Sequence, residues 1–279
     1  MRELMKVNLT MLKKMKWLWI VLPVFNVFFL LTLIYSAVVK DYSSFSFLYD
    51  LLGGYPDYAI FSGCFVCLFL GREYSRGTLR NKIIAGYSRI QIFASYFLTS
   101  CIIIFICFLF PLLIAVSGTL IIGVYPMFSL NEYLTLAVLM LFAQIIEAAL
   151  SVLICVIMDS TSKCIMTCII LFFCLILLQF LFTETVGTLS VDISKDASGN
   201  LVLTDADTAL ERGSLERTVA EDVFFSTPIL QFVGLTERYG YKLAFFQLGR
   251  TGWIILFDFI WLTVIVTAGI LVFQRKKVR

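Results

Sequence analysis

Long apolar runs dominate this sequence and limit what it can fold into. Six runs approach or exceed the length of about 20 residues with which a helix crosses the hydrocarbon of a bilayer. They cover residues 17–39, 56–71, 91–122, 132–157, 164–183 and 251–273. Hydrophobic residues make up 60% of the 279-residue chain and only 15% are charged, so a soluble domain could not bury this much apolar surface. Because a spanning segment must satisfy its backbone polar groups internally, we predict an all-α membrane protein with six transmembrane helices.

The distribution of positive charge predicts the orientation of these spans. Cationic residues in short loops beside spans collect on the cytoplasmic side. With both termini in the cytoplasm, the inner segments hold 15 of the 22 Lys and Arg residues but only three of the 19 Asp and Glu residues. These segments are residues 1–16, 71–90, 158–163 and 274–279. We therefore expect a multi-pass protein of the plasma membrane with cytoplasmic termini.

Residues 1–16, before the first run, have the pattern of an amphipathic helix. At about 100° per residue, one broad side collects Leu4, Met5, Val7, Leu9, Met11, Leu12 and Met15. The other side collects Arg2, Glu3, Lys6, Thr10, Lys13 and Lys14, and only Asn8 and Lys16 break this division. Such a helix is expected to lie in the plane of the membrane interface with its cations near anionic headgroups. The alternative is a basic flank that only fixes orientation.

The eight cysteines all lie in or beside apolar runs. Cys64 and Cys67 form a C-x-x-C motif, which in a soluble protein would suggest redox or metal chemistry. The chain has no His, and a thiol within an apolar span packs as a small hydrophobic residue. We therefore interpret this motif as packing and predict no metal site.

Residues 184–250 differ from the rest because they are polar and acidic, and we predict an extracytoplasmic subdomain there. Its segments VGTLSVDIS and LVLTDAD flank KDASGN, which predicts two strands joined by a turn. Thr208 and Glu211 match a capping box and predict a helix toward Phe225. Thr227 and Pro228 then begin an apolar segment that is too short to span. It is either a helix that dips into the outer leaflet or a peripheral amphipathic helix.

The cationic loop, residues 72–90, connects the second and third runs. Its basic residues are Arg72, Arg76, Arg80, Lys82 and Arg89. Side-chain oxygens between Ser75 and Thr78 are expected to cap a short helix from Leu79 to Ala85, which Gly86 would end in a left-handed conformation. Ser88 and Gln91 form a capping box at the start of the third span. An orientation signal needs only a few cations in any conformation, so this specified geometry favours a docking element.

The stretch REYSRGTLRNKIIAGYSR closely resembles the cytoplasmic loop between the second and third spans of ABC-2 type permeases. These are the membrane subunits of ATP-driven exporters, and an E-x-x-x-G-T pattern precedes their coupling helix. The residues that match or continue this pattern are Glu73, Gly77, Thr78, Leu79, Arg80, Asn81 and Lys82. The amphipathic N-terminal helix, the six spans and the outer segment extend the resemblance, and Pro228 and Gln231 resemble the family's re-entrant hairpin. The outer insertion around residues 186–222 departs from the smallest family members.

The resemblance implies that the cationic loop docks in a groove of a cytoplasmic ATPase and couples ATPase closure to movement of the spans. The sequence contains no G-x-x-x-x-G-K-[ST] phosphate loop, so ATP and Mg are expected on that separate ABC ATPase subunit. We expect this chain to bind no cofactor and to be a transport subunit, not an enzyme. The implied partners are the ATPase, a second permease subunit, most simply in a homodimer, and membrane lipid, with no nucleic acid.

The resulting domain organisation has four parts. Residues 1–16 form the in-plane helix, residues 17–183 hold spans one to five with the coupling loop 72–90, residues 184–250 form the outer subdomain, and residues 251–279 form the last span with a basic tail.

Glu147 lies about midway along the fourth predicted span, and Asp258 lies about two turns into the sixth. A carboxylate at bilayer depth costs on the order of 2.5–3.5 kcal/mol for Asp on insertion scales, so it faces protein or water. With Pro228 and Gln231, these residues are candidates for a substrate path or a gate. Alternatively each is protonated, or bonds a neighbouring helix through a residue such as Gln144, Gln179 or Asn26.

Two other classes of function compete with the exporter. An intramembrane enzyme would need a nucleophile or metal cluster, but the chain has no His and no H-E-x-x-H motif. An ATP-independent channel or secondary transporter would be expected to show paired repeats or broken helices in matching positions, and it would leave the cationic loop unexplained. For an exporter, the aromatic spans and acidic exterior would suit an amphipathic or cationic cargo, such as an antimicrobial peptide or a drug.

Overall fold

The computed structural model of the chain describes residues 1–39, 55–122, 130–158, 160–185, 191–195, 201–205 and 251–276. Its described residues form helices almost throughout. The helices are α1 (Arg2–Lys13), α2 (Lys16–Val39), α3 (Tyr55–Ser75), α4 (Thr78–Ile84), α5 (Arg89–Ile122), α6 (Leu130–Ile157), α7 (Thr161–Thr185) and α8 (Thr251–Arg275). Each of the six apolar runs lies within one of the long helices, as the hydrophobic pattern predicts.

Among the described residues, three helices have stretches that are long and apolar enough to cross a membrane, judged by length and composition. These stretches are Arg89–Ile114 in α5, Leu139–Ile157 in α6 and Gly252–Arg275 in α8, and α7 contains a shorter apolar stretch, Thr161–Leu175. Their length matches the hydrocarbon thickness of a bilayer. They indicate that the chain is a membrane protein.

Helix α6 is the centre of the bundle and packs against α3, α5, α7 and α8. The fourth and fifth runs are in contact, as their short connection predicts, but most of the α7 contact surface lies on α3. Glycine permits this close approach. A Cβ atom on Gly63 would lie 2.9 Å from the Cys168 sulfur, and one on Gly71 would lie 2.7 Å from the Thr161 Cα. Small residues at helix interfaces let backbones approach closely, so these two glycines set the distance between α3 and α7.

Helix α3 extends beyond the apolar run that predicts it. The run ends at residue 71, whereas the helix continues through Arg72 and Glu73 to Ser75. Its last turn is stabilised because the Glu73 side chain is buried among polar partners instead of facing water. The sequence pattern ends the span at its first charge and so misses this extra turn.

A two-stranded hairpin lies in the predicted outer subdomain. Strands β1 (Val191–Lys195) and β2 (Leu201–Asp205) pair antiparallel, with Val191 opposite Asp205 and Lys195 opposite Leu201. The prediction of two strands around KDASGN is confirmed. The predicted helix after Thr208 and the apolar segment with Pro228 and Gln231 lie outside the described residues.

Candidate functional site

The cationic loop contains the short helix α4, which has a glycine in the left-handed region at each end. Gly77 precedes it with φ 68° and Gly86 follows it with φ 88°. Only glycine adopts such angles without steric cost. Gly86 therefore ends the helix as predicted, and α4 is only seven residues long.

The prediction of a side-chain cap at the start of α4 is wrong. Gly77 is the N-cap and no side chain bonds the first backbone N–H groups. The Thr78 hydroxyl instead lies 2.8 Å from both the backbone oxygen and Oε2 of Glu73, and the Ser75 hydroxyl donates to the Gly71 carbonyl at 2.8 Å. The Thr78 hydroxyl donates toward Glu73 because an ionised carboxylate is a strong acceptor, and the Ser75 hydroxyl donates to the carbonyl four residues earlier in its own helix.

The start of α5 follows the predicted capping box. The Ser88 N–H donates to Gln91 Oε1 at 3.1 Å, and the Gln91 N–H donates to Ser88 Oγ at 3.2 Å. Two backbone donors are satisfied reciprocally. The loop is therefore fixed in conformation where it enters α5.

A buried ion pair between Glu73 and Lys82 lies under α4. The Lys82 Nζ is 2.7 Å from Glu73 Oε2, and the two side chains are 9% and 2% exposed, respectively. The Tyr96 hydroxyl donates to the same carboxylate oxygen at 3.1 Å, and Lys82 also lies 4.6 Å from the centre of the Tyr96 ring. A buried pair is maintained only when further hydrogen bonds compensate desolvation, and here Thr78 and Tyr96 supply them.

Asn8 extends this cluster to the N-terminal helix α1. Lys82 donates to Asn8 Oδ1 at 3.0 Å, and Asn8 Nδ2 donates to the hydroxyls of Thr99 at 3.2 Å and Ser95 at 3.4 Å. Asn8 is completely buried between α1 and α5. We call Asn8, Glu73, Thr78, Lys82 and Tyr96 the buried polar cluster, and it joins α1, α3, α4 and α5.

A second set of contacts joins the far end of the cationic loop to two other helices. Arg89 donates to the carbonyls of Phe273 at 3.2 Å and Lys276 at 2.9 Å, at the end of α8. Lys276 in turn donates to the Val156 carbonyl in the last turn of α6 at 2.6 Å and lies 5.0 Å from the Tyr74 ring centre. Cations bonded to the last carbonyls of a helix satisfy orphan acceptors and complement its dipole. The C-terminal ends of α6 and α8 are thereby linked to the loop.

Helix α4 has two different faces. Leu79 and Lys82 are buried against the bundle, whereas Arg80 and Asn81 are exposed and Ile84 is 73% exposed. The seven residues that form one motif in the sequence therefore lie on two different sides of the loop. Glu73, Thr78, Leu79 and Lys82 turn inward, and Gly77, Arg80 and Asn81 lie on the outside.

Sequence reasoning missed Asn8, Tyr96, Ser95 and Thr99 as members of the site. One signal for Asn8 was present, since it is the only uncharged polar residue that interrupts the apolar side of α1. A polar residue on an apolar face implies a buried hydrogen-bond partner. Nothing in the local sequence identifies that partner.

The two acidic candidates Glu147 and Asp258 are buried. Glu147 in α6 accepts a short hydrogen bond from the Ser62 hydroxyl in α3, and Asp258 in α8 is completely buried. Asn26, one of the partners considered from the sequence, instead donates to the Leu22 carbonyl at 2.7 Å within its own helix. Pro228 and Gln231 lie outside the described residues, so of the four candidates for a path or gate only Glu147 and Asp258 have a described place.

The cysteines are all free thiols. Cys67 of α3, Cys155 of α6 and Cys168 of α7 are buried in the same hydrophobic core, so these thiols pack where the three helices meet. Within the described ranges, no three His, Cys, Asp or Glu side chains are grouped so that they could hold a metal ion. The chain matches no protein-family model and no curated protein.

Proposed function

We propose that this protein is the membrane-spanning permease subunit of an ABC exporter, with α4 as its coupling helix. In this proposal the chain crosses the membrane six times with both termini in the cytoplasm. The coupling element, residues 73–86, then lies on the same side as ATP. The single observation that carries the proposal is the contrast between the fixed inner face and the free outer face of α4.

The inner face supports the proposal because it connects α4 rigidly to the bundle. In the buried polar cluster, Lys82 of α4 donates to Glu73 of α3 at 2.7 Å, to Asn8 of α1 at 3.0 Å and to the Tyr96 hydroxyl of α5 at 3.4 Å. Charge-assisted hydrogen bonds are short and directional. A force applied to α4 would therefore move these helices together instead of bending the loop.

The contacts of Arg89 and Lys276 extend this linkage to the remaining inner helix ends. Arg89 follows α4 by only a few residues and bonds the end of α8, and Lys276 bonds the end of α6. The loop thus contacts α1, α3, α5, α7 and α8 directly, and it contacts α6 through Lys276. This is the arrangement required of an element that turns motion of a partner into motion of spans.

The outer face supports docking on a partner. Ile84 is a large apolar side chain left in water beside the exposed Arg80 and Asn81. We propose that it fills an apolar groove of a cytoplasmic ABC ATPase whose rim is acidic enough to bind Arg80. ATP and Mg are bound there, because this sequence contains no phosphate loop. ATP binding shifts the spans only as far as the docked helix interacts differently with the open and closed ATPase.

The path for cargo is proposed between two permease subunits, most simply two copies of this chain. Glu147 and Asp258 are its candidate gating residues, and the Ser62–Glu147 bond joins α3, which leads into the coupling loop, to α6. An amphipathic or cationic cargo would suit the aromatic spans. Deleting the gene tests this cargo, since sensitivity to cationic peptides should increase, and unchanged sensitivity would count against such a cargo.

Co-purification tests the proposed function. The tagged chain, extracted from its native membrane in mild detergent, should retain a polypeptide with a phosphate loop. Arg80→Glu should remove this ATPase by placing a carboxylate against an acidic rim, whereas Lys13→Glu, an equal charge change at an exposed site on α1, should retain it. A purified chain that never retains an ATPase would contradict the exporter and favour an ATP-independent channel or secondary transporter.

A further inference from the structure

Two cavities adjoin at Arg72, near the inner end of α3. The first has a volume of about 250 Å³ and lies between α1, α3 and α4, where Lys14, Arg72 and Arg76 line it with apolar Met15 and Phe69. A water molecule has a share of about 30 Å³ in the liquid. The cavity therefore has room for a polyatomic group.

The second cavity has a volume of about 260 Å³ and lies between α2 and α3. Its lining is apolar except for Arg72, and it includes Val21, Phe65 and Leu68. Because Arg72 lines both cavities, a cationic chamber opens beside an apolar groove. This combination matches an amphiphile with an anionic head, not a purely polar or purely apolar molecule.

The cationic chamber carries uncompensated positive charge. Among the described residues the ion pairs are Glu3 with Lys6 and Glu73 with Lys82, so Lys14, Arg72 and Arg76 have no carboxylate partner there. Glu73 also lines the chamber, but Lys82 compensates its charge. An anion bound here would contact three unpaired cations and a carboxylate, Glu73, whose charge is balanced by Lys82.

We propose that the two cavities bind one anionic phospholipid, with its phosphate among Lys14, Arg72 and Arg76 and an acyl chain in the groove between α2 and α3. A guanidinium group binds phosphate oxygens in bidentate fashion. The cytoplasmic leaflet supplies anionic lipids to basic segments at its surface, and the amphipathic α1 that lines the chamber suits that interface. A free inorganic anion would leave the apolar groove uncovered, and a neutral lipid would leave the cations unpaired.

This inference goes beyond the proposed function and rests on it only for the cytoplasmic position of the loop, whereas lipid retention by the purified chain is measured without an ATPase. The lipid would fill the space between α1, α2 and the base of α4. It would thereby become part of the packing that holds the outer face of α4 in position.

Native mass spectrometry of the full chain in detergent tests the site. We expect phosphatidylglycerol to be retained more strongly than phosphatidylcholine with the same acyl chains. Arg72→Gln and Arg76→Gln should each lower phosphatidylglycerol retention about fivefold, which corresponds to ~1 kcal/mol per charge. Lys13→Gln, which removes an exposed charge of α1 outside both cavities, should leave retention unchanged.

Two further measurements distinguish a bound phospholipid from a free inorganic anion. Leu68→Trp should fill the apolar groove and weaken phosphatidylglycerol retention, and excess inorganic phosphate should fail to displace the lipid. Thermal unfolding of each variant without added lipid shows that it is folded. Equal retention of both lipids, displacement by phosphate alone, or Arg variants that behave like Lys13→Gln would overturn the proposal.

Discussion

The two faces of α4 are formed by neighbouring residues but have opposite patterns of burial: a charged residue is buried on one face and an apolar residue is exposed on the other. On the inner face, Lys82 is buried and donates to groups of three other helices, whereas on the outer face Ile84 is an apolar side chain exposed on the surface of the chain. Folding alone would favour the reverse, since burying a charge costs free energy and burying isoleucine stabilises. In the proposed function, the inner face fixes the geometry of α4 and the outer face binds the partner.

Because of this contrast, substitutions on the two faces should have different effects on stability and on docking. Substitutions on the inner face should lower the free energy of unfolding and disturb docking only as a consequence. Substitutions on the outer face should leave stability unchanged and weaken docking directly. The following predictions test this separation, from the largest expected effect on stability to the smallest.

Replacing Lys82 with Met should have the largest effect. The Glu73 carboxylate would remain buried without its cation, and removal of one partner of a buried pair costs about 3–5 kcal/mol. Reversible unfolding of the detergent-solubilised chain measures this loss. The double variant Glu73→Gln with Lys82→Met should recover most of it because no charge remains buried, so a double variant as unstable as the single one would contradict the ion-pair interpretation.

Replacing Asn8 with Leu should cause the next largest loss of stability. It leaves Lys82 without one acceptor and the hydroxyls of Thr99 and Ser95 without a donor, and an unsatisfied buried polar group costs about 1–3 kcal/mol. Unfolding measurements should show this loss, and protease sensitivity of α1 should increase. Thr10→Val, on the exposed side of the same helix, serves as the control and should change stability by less than half as much.

Replacing Gly86 with Ala should have a moderate effect. A side chain in the left-handed region costs roughly 1–2 kcal/mol, and the open space around Gly86 removes any steric contribution from neighbours. The control is Gly252→Ala in α8, where the space is equally open and φ is not positive. If both variants lose the same stability, backbone conformation is not what makes Gly86 necessary.

Replacing Ile84 with Ala should have the smallest effect on stability, within about 0.5 kcal/mol, because the side chain is exposed. It should nevertheless lower the amount of ATPase recovered with the purified chain. Ile90→Ala, another exposed isoleucine just outside α4, tests whether any loss is specific. Equal recovery of the ATPase with both variants would place docking elsewhere on the chain.

Local features of this protein could be predicted from its sequence, whereas contacts between distant segments could not. The apolar runs predict the helices, and turn chemistry predicts the stop at Gly86 and the box of Ser88 with Gln91, because each depends on neighbouring residues. The bond between Asn8 and Lys82 joins residues 74 positions apart. No local sequence pattern predicts a contact between residues so far apart, so the buried polar cluster can be recognised only from the way α1 packs on the bundle.

The two errors at α3 and α4 have one cause. Glu73 looks like the start of a solvated loop, but the partners from α4 and α5 make its burial favourable. The same carboxylate then accepts the Thr78 hydroxyl that the sequence assigns to a helix cap. Tertiary contacts override both the hydropathy limit of the span and the local capping preference.

The most direct test of the central claim is photo-crosslinking from position 84 in intact cells. A photoreactive phenylalanine analogue replaces Ile84, and a matched one replaces the exposed Trp253 at the start of α8, which the predicted topology places on the outer side. The proposal predicts a crosslink from position 84, and none from position 253, to a cytoplasmic ATPase that contains a phosphate loop. A crosslink from position 253 but not from position 84, or no ATPase captured at either, would contradict it.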